Sequence, residues 1–202
     1  ETIITMLAAT SIGATFSSCS PDFGAQGVLD RFGQISPKLL VACNGYYYNG
    51  KSLDIRGRVR DIVDSVTTLE KVLCVDLVDI GGFDLGNEMD FELACSGTSD
   101  GFNFYRHDFN HPLYIMYSSG TTGSPKCIVH GAGGTLLQHL KEHQLHLDLR
   151  PSDTLFYFTT CGWMMWNWLV SGLASGSTLV LYDGSPFYPA PTVLLDLIDK
   201  EK

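Results

Sequence analysis

Apolar positions recur along this chain in short blocks divided by clusters of Gly, Pro, Asn and Ser, and the spacing inside each block predicts an element. Residues 3–12 combine apolar and small side chains in a helical pattern. Pro21-Asp22-Phe23 opens a second helix that runs to Phe32, with Val28, Leu29 and Phe32 on one face. Residues 55–66 read as an amphipathic helix with Arg56, Arg58 and Arg60 on its solvent face. Residues 136–147 and 164–173 are also helical, and the pattern at 193–198 is helical again. Strands are predicted at 14–17, 39–42, 71–77, 113–117, 126–130, 155–158 and 178–182. Residues 44–49 read as a tyrosine-rich turn. Residues 81–101 read as a surface segment with one short helix near Phe91.

Short apolar strands alternating with helices predict an α/β fold built from parallel βαβ layers. No internal repeat or low-complexity tract interrupts it. A break around 81–110 marks either a boundary between two lobes or one long insertion. Residues 155–182 carry no charge and are long enough to span a bilayer. Their punctuation by Asn167, Ser171-Gly172 and Ser175-Gly176-Ser177 fits strand, helix and strand in a folded core better, so no membrane span is expected.

Composition narrows the classes. Of 202 residues, 45% are hydrophobic and 17% charged, so a buried core is within reach and wholesale disorder is not expected. Thirteen Lys and Arg against 22 Asp and Glu give a net charge of −9, which disfavours nucleic acid as a partner. The six cysteines form no CxxC pair, so neither a zinc ribbon nor a dithiol redox motif is readable. With no N-x-[ST] sequon and no charged-then-apolar leader, the reading is reduced thiols in a cytosolic protein. Glu1 at the start and a helical pattern still running at the end read as an excerpt of a longer chain.

The segment from Tyr117 to Lys126, YSSGTTGSPK, concentrates the chemistry. Glycines let backbone N–H groups approach an anion, serine and threonine hydroxyls add donors, and Lys126 supplies the cation a polyphosphate needs. Composition alone leaves a flexible polar hairpin loop as the alternative. A Walker loop is excluded, because it needs Gly-Lys-[Ser/Thr] opening a helix. Here Lys126 follows Pro125 and leads into the strand-like Cys127-Ile128-Val129.

This string resembles the phosphate-loop signature of the adenylate-forming superfamily, [ST]-[SG]-G-[ST]-T-G-x-P-K. Gly133-Gly134-Thr135-Leu136-Leu137, the stretch GWMMWNWLVSGLASG from Gly162, and Leu181-Tyr182-Asp183-Gly184-Ser185-Pro186 are similar to acyl-CoA synthetases, the second most of all to the acetoacetyl-CoA synthetases. The Ser20–Gly24 and Pro37–Leu39 regions resemble them too, with 81–107 the weakest part. The resemblance implies that residues 1–202 are part of an N-terminal AMP-binding (adenylation) domain, incomplete here and without the C-terminal domain. It implies a ligase that activates acetoacetate with ATP to acetoacetyl-AMP and transfers the acyl group to CoA. Ser118, Ser119, Gly120, Thr121, Thr122, Gly123, Ser124 and Lys126 would wrap the β- and γ-phosphates. Mg2+ would sit on the nucleotide or on a residue beyond 202, because the segment holds no carboxylate.

By the same resemblance Trp163, Met164 and Met165 would line the acyl pocket, where large polarisable side chains shape a small cavity. On periodicity alone they would be core. Lys51 matches one basic position that meets CoA phosphates in acetyl-CoA synthetases, but Tyr48 replaces the other; a solvated loop lysine is the alternative. His139, His143 and His146, at i, i+4 and i+7, have a spacing that suits zinc, yet no HExxH accompanies them and no metal ligand is assigned. His130 reads as structural. No catalytic residue is assigned within the chain, and the fragment alone is not expected to turn over. The alternatives are a synthetase for another short acid such as acetate, or a non-catalytic nucleotide-binding module.

Overall fold

The computed structural model describes residues 1–97, 101–118 and 123–201. Small and apolar residues form helix α1 (Thr2–Ser11), which buries Met6 and turns at Gly13 into β1 (Phe16–Ser17). β1 pairs in parallel with β7 (Pro112–Ser118), and β8 (Lys126–Gly131) lies antiparallel on the other side of β7. A second sheet has the order β2 (Leu39–Cys43), β5 (Lys71–Val75), β6 (Glu88–Asp90), all parallel. A third pairs β9 (Thr154–Phe156) with β10 (Thr178–Val180), also in parallel. The chain is thus mixed α/β with parallel pairing in three sheets, as the alternation of blocks predicts.

Two strand pairs depart from that expectation by being antiparallel. One is β7–β8. The other is β3 (Gly45–Tyr48) with β4 (Lys51–Asp54), which replaces the expected turn at 44–49. Asn49 and Gly50 both have positive φ, 49° and 71°, the conformation that two-residue hairpin loops require. Asn-Gly is the strongest short-range hairpin signal, and it was legible at this position. The second helix also starts later than Pro21: α2 spans Ala25–Phe32. β6 and α4 (Phe91–Cys95) give 81–101 more order than a surface segment with a single short helix.

Three clusters hold these elements together. Met6, Phe16, Tyr114, Trp166 and Val170 join α1, β1, β7 and α6 (Met164–Val170), with the Phe16 and Trp166 rings stacked at 6.2 Å. Val28 and Phe32 of α2 meet Ile62 and Val66 at α3 (Arg56–Ser65). Leu149, Leu155 and Leu169 form the third. Burying each such large side chain contributes about 1.5–3 kcal/mol.

Helix α5 (Ala132–Lys141) runs into a π-helical turn at Glu142–His146. The wider turn carries His143 fully inside, 4.5 Å from the Trp168 ring, and leaves His146 exposed. The three histidines therefore do not share one face. Among the described residues no group of three His, Cys, Asp or Glu is placed to hold a metal. No described helix is long and apolar enough to cross a membrane; 155–182 is divided among β9, α6, a 3-10 turn at Ser171–Ser175 and β10.

The arginines of α3 are not simply a solvated face. Arg56 pairs with Asp54 at 2.8 Å and donates to the Ile80 carbonyl at 2.8 Å, and Arg60 donates to the Asp84 carbonyl. Together they tie 80–84 back onto the helix. Asn44, wholly buried between β2 and β3, does similar work: its amide nitrogen donates to the carbonyls of Val78 and Gly81 and its amide oxygen accepts from the Leu77 and Val78 N–H groups.

Candidate active site

β7 and β8 pair in a register that sets Ser118 opposite Lys126 and Tyr117 opposite Cys127. The segment singled out in the sequence therefore joins two antiparallel strands at one end of the three-stranded sheet. Ser118 is half-buried, while Gly123, Ser124 and Lys126 are exposed. Gly123 has φ +120°, a backbone that side chains resist and glycine accepts. Ser119, Gly120, Thr121 and Thr122 lie outside the described residues.

Behind this end stands a polar and aromatic layer. Tyr117 Oη and Ser17 Oγ share a hydrogen bond of 2.9 Å, and Ser17 Oγ also donates to the Ile115 carbonyl. Burial pushes the Tyr117 hydroxyl far above its usual value, partly offset by the Ser17 bond, so it stays protonated.

Trp163 caps the N-terminus of α6 and Met164 is its first residue. They are 64% and 48% exposed, and Met165 is half-buried. The core side of that helix is supplied instead by Trp166, Asn167, Leu169 and Val170. Trp163 and Met164 are thus not the core residues that periodicity alone suggests; they stand free to meet something else. The turn before them is packed against the start of the α2 region: Ser18 Oγ donates to the Cys161 carbonyl at 2.6 Å, and Cys161 Sγ to the Cys19 carbonyl at 3.3 Å. A Cβ on Gly162 would lie 3.0 Å from Ser20 N, so a side chain there would push the two turns apart by a few tenths of an ångström. Burial raises both the Cys19 and Cys161 thiols to about 12, which keeps them protonated and poor nucleophiles. All six cysteines are free. A cavity of about 10 Å³, about the size of one water, is lined by Met116, Cys161 and Asn167.

Lys51 is not brought to this end by the sheet that holds Ser118 and Lys126. It lies exposed on β4, paired across the hairpin with Tyr48. The hairpin tip packs on Tyr188, whose hydroxyl would be 2.3 Å from a Cβ on Gly50.

The profile of the AMP-binding enzyme family matches residues 1–202. The chain belongs to that family. Its relatives among AMP-binding enzymes agree over nearly all of its length. It is 55% identical over 204 residues to the acetoacetyl-coenzyme A synthetase of Rhizobium meliloti, covering 100% of this chain and 31% of that protein. It is 46% identical over 199 residues to the malonamoyl-CoA synthetase vrtB of Penicillium aethiopicum, covering 94% of this chain and 28% of that protein. The solved acetoacetyl-CoA synthetase from Streptomyces lividans superposes with a TM-score of 0.94 at 42% identity, over 98% of this chain and 30% of that one. The chain therefore spans about a third of the length of these relatives.

Sequence reasoning missed the residues behind the site. Arg31 and Gln34 of the α2 region carry no motif. Only their contacts in the folded chain single them out.

Proposed function

We propose that this chain is part of the N-terminal adenylation domain of an acid–thiol ligase that activates acetoacetate. ATP and the acid give acetoacetyl-AMP and pyrophosphate, and the CoA thiol then displaces AMP to give acetoacetyl-CoA. The observation that carries the reading is the β7–β8 pairing, which brings Ser118 and Lys126 face to face at the two ends of a glycine- and hydroxyl-rich segment. That arrangement suits a polyphosphate: donors from both strands converge, and one exposed ammonium offsets the charge.

In the first step the acid's carboxylate oxygen attacks the α-phosphorus and the bond to the bridging β-oxygen breaks. The chain's contribution is to hold the leaving pyrophosphate and offset its growing charge, a task of positioning and electrostatics. Ser118, Ser119, Gly120, Thr121, Thr122, Gly123, Ser124 and Lys126 take that role. Mg2+ would supply further charge neutralisation when bound; the segment holds hydroxyls but no carboxylate to offer it, so it would be held on the nucleotide or by a residue beyond 202. Trp163, Met164 and Met165 line the acyl end, a reading supported by the exposure of the first two. Lys51 meets the CoA phosphates. The protein works in the cytosol, in keeping with six free thiols.

A second acid is worth naming. The names acetoacetyl- and malonamoyl-CoA synthetase both denote short acids whose β carbon is a carbonyl, a four-carbon one and a three-carbon one. A short β-carbonyl acid is therefore the substrate class, with acetoacetate the first choice.

Replacing Lys126 with Ala in the full-length gene product tests the phosphate role. Acetoacetate-dependent AMP formation should fall about 10–1000-fold, as loss of a charge-stabilising group does elsewhere. Unchanged AMP formation would contradict the reading.

A further inference from the structure

The end of α2 touches both strands that carry the phosphate site, and it does so one residue before each of the site's described ends. On the β7 side, the Arg31 guanidinium carbon lies 5.8 Å from the centre of the Tyr117 ring and 4.7 Å from that of Phe23. Both distances allow attraction between the cation and the ring faces. Arg31 Nη1 also donates to the Gly27 carbonyl at 2.6 Å, which fixes the side chain along its own helix. Tyr117 is held from behind by its hydrogen bond to Ser17. On the β8 side, Gln34 Nε2 donates to the Pro125 carbonyl at 2.8 Å, a contact across 91 positions of sequence. The same amide donates to the Asp30 carbonyl, so it too is fixed to α2.

Tyr117 precedes Ser118, and Pro125 precedes Lys126. The pairing of β7 with β8 sets how far apart these two ends lie. On its β7 side the hairpin end is also held by β1 and by the packing of Tyr117 against the Val28, Phe32, Ile62 and Val66 cluster. Arg31 adds to that hold at Tyr117, and Gln34 extends it to the β8 side through Pro125. Together they clamp the two ends to α2 and the turn that follows it.

We infer that Arg31 and Gln34 are positioning residues for phosphate binding: they hold Ser118 and Lys126 in the orientation in which a nucleotide's phosphates meet them. This rests on the phosphate reading proposed above. A clamp of this kind lowers the ordering cost of binding and so acts on nucleotide affinity, leaving the acid site untouched. Surface contacts that merely stabilise the fold would instead lower the melting temperature with no preference among substrates.

The test is acid-dependent ATP–pyrophosphate exchange on the full-length gene product, with MgATP and acetoacetate varied separately. The variants are Arg31→Met, Gln34→Met, the double variant, Arg31→Lys and Lys126→Ala. Each single Met variant should raise the KM for MgATP about 3–10-fold, the size expected for one lost hydrogen bond or cation–ring contact, with kcat and the acetoacetate KM within about twofold of wild type. Arg31→Lys should restore most of the loss, since the cation over Tyr117 remains. Gln34 is exposed, so its variant is expected to fold even if Arg31→Met does not. An unchanged MgATP KM in Gln34→Met and the double variant, alongside a lowered kcat/KM for MgATP in Lys126→Ala, overturns the clamp and leaves the phosphate site standing. An unchanged kcat/KM for MgATP in Lys126→Ala itself overturns the phosphate site, and the clamp with it. A lowered kcat and a raised acetoacetate KM in the Met variants, together with a lowered melting temperature, overturn the clamp in favour of a structural role.

Discussion

At the scale of single residues, chemistry was legible where it is written in local sequence and hidden where it depends on folding. Lys126 stands out in the chain because it closes a glycine- and hydroxyl-rich run that resembles a phosphate-loop signature; composition alone would also have allowed a polar hairpin loop. Lys51 was legible only by resemblance, and its place on a separate hairpin gives its role an independent test. Replacing Lys51 with Ala should raise the KM for CoA about 3–10-fold, the effect of losing one exposed ion pair with phosphate, and leave ATP–pyrophosphate exchange unchanged. An unaltered CoA KM would remove Lys51 from the CoA site.

His139 shows what spacing cannot reveal. It is buried, with Nδ1 2.7 Å from Ser171 Oγ. Burial lowers its pKa from 6.5 to about 4, and the neighbouring His143 and His130 act in the same direction. Above pH 6.5 the ring is neutral in both folded and unfolded chains. Between 6.5 and about 4 the unfolded chain takes up the proton and the folded one does not. Stability is therefore lost as pH falls through that window, by up to about 1.4 kcal/mol per pH unit. The thermal unfolding midpoint should drop from pH 6.5 to pH 4.5, and the drop should be smaller in His139→Gln. Equal slopes for the two proteins would show that His139 is not the group responsible.

At the scale of elements, the alternation of short apolar strands with helices located most segments to within a few residues. What it did not supply was direction. Nothing in the run Leu113-Tyr114-Ile115-Met116-Tyr117 says that its neighbour on one side is parallel β1 and on the other antiparallel β8, because pairing direction is set by the connection and by distant packing. The hairpin at Asn49-Gly50 was legible in principle, since that dipeptide specifies its turn; the tyrosines around it hid the strands by looking like surface. The π turn after α5 was not legible, as an extra residue within a helix leaves the apolar spacing only slightly altered.

Asn44 illustrates how an element boundary is held. Its side chain satisfies two backbone carbonyls and two backbone N–H groups of 77–81 in a fully buried setting. Asn44→Leu removes these bonds. The Leu77 N–H keeps the Val75 carbonyl and the Val78 carbonyl keeps the Ile80 N–H, so the loss falls on the Val78 N–H and the Gly81 carbonyl. The substitution should destabilise the protein by about 1–3 kcal/mol, read as a lowered denaturation midpoint. A change below about 0.5 kcal/mol would mean that 77–81 is held by other contacts.

At the scale of the whole molecule, the sheets are small and the chain matches about a third of the length of its relatives. Gly123, Ser124, Lys126, Trp163 and Met164 are all exposed. The motif was readable because a nucleotide's phosphates impose a local solution: small residues, hydroxyls and one lysine. Acid choice imposes none, since a small pocket is assembled from side chains on separate elements. That part of the account rests on the exposure of Trp163 and Met164 and on the likeness to relatives, and it is the claim most open to test.

The most direct measurement is ATP–pyrophosphate exchange by the full-length gene product, run in parallel with acetoacetate, malonamate, acetate, propionate and butyrate. The account predicts exchange with the β-carbonyl acids, strongest with acetoacetate. Exchange strongest with acetate or butyrate would keep the phosphate site and contradict the acyl pocket assigned to Trp163, Met164 and Met165. No exchange with any acid, by a folded protein, would contradict adenylation as its function.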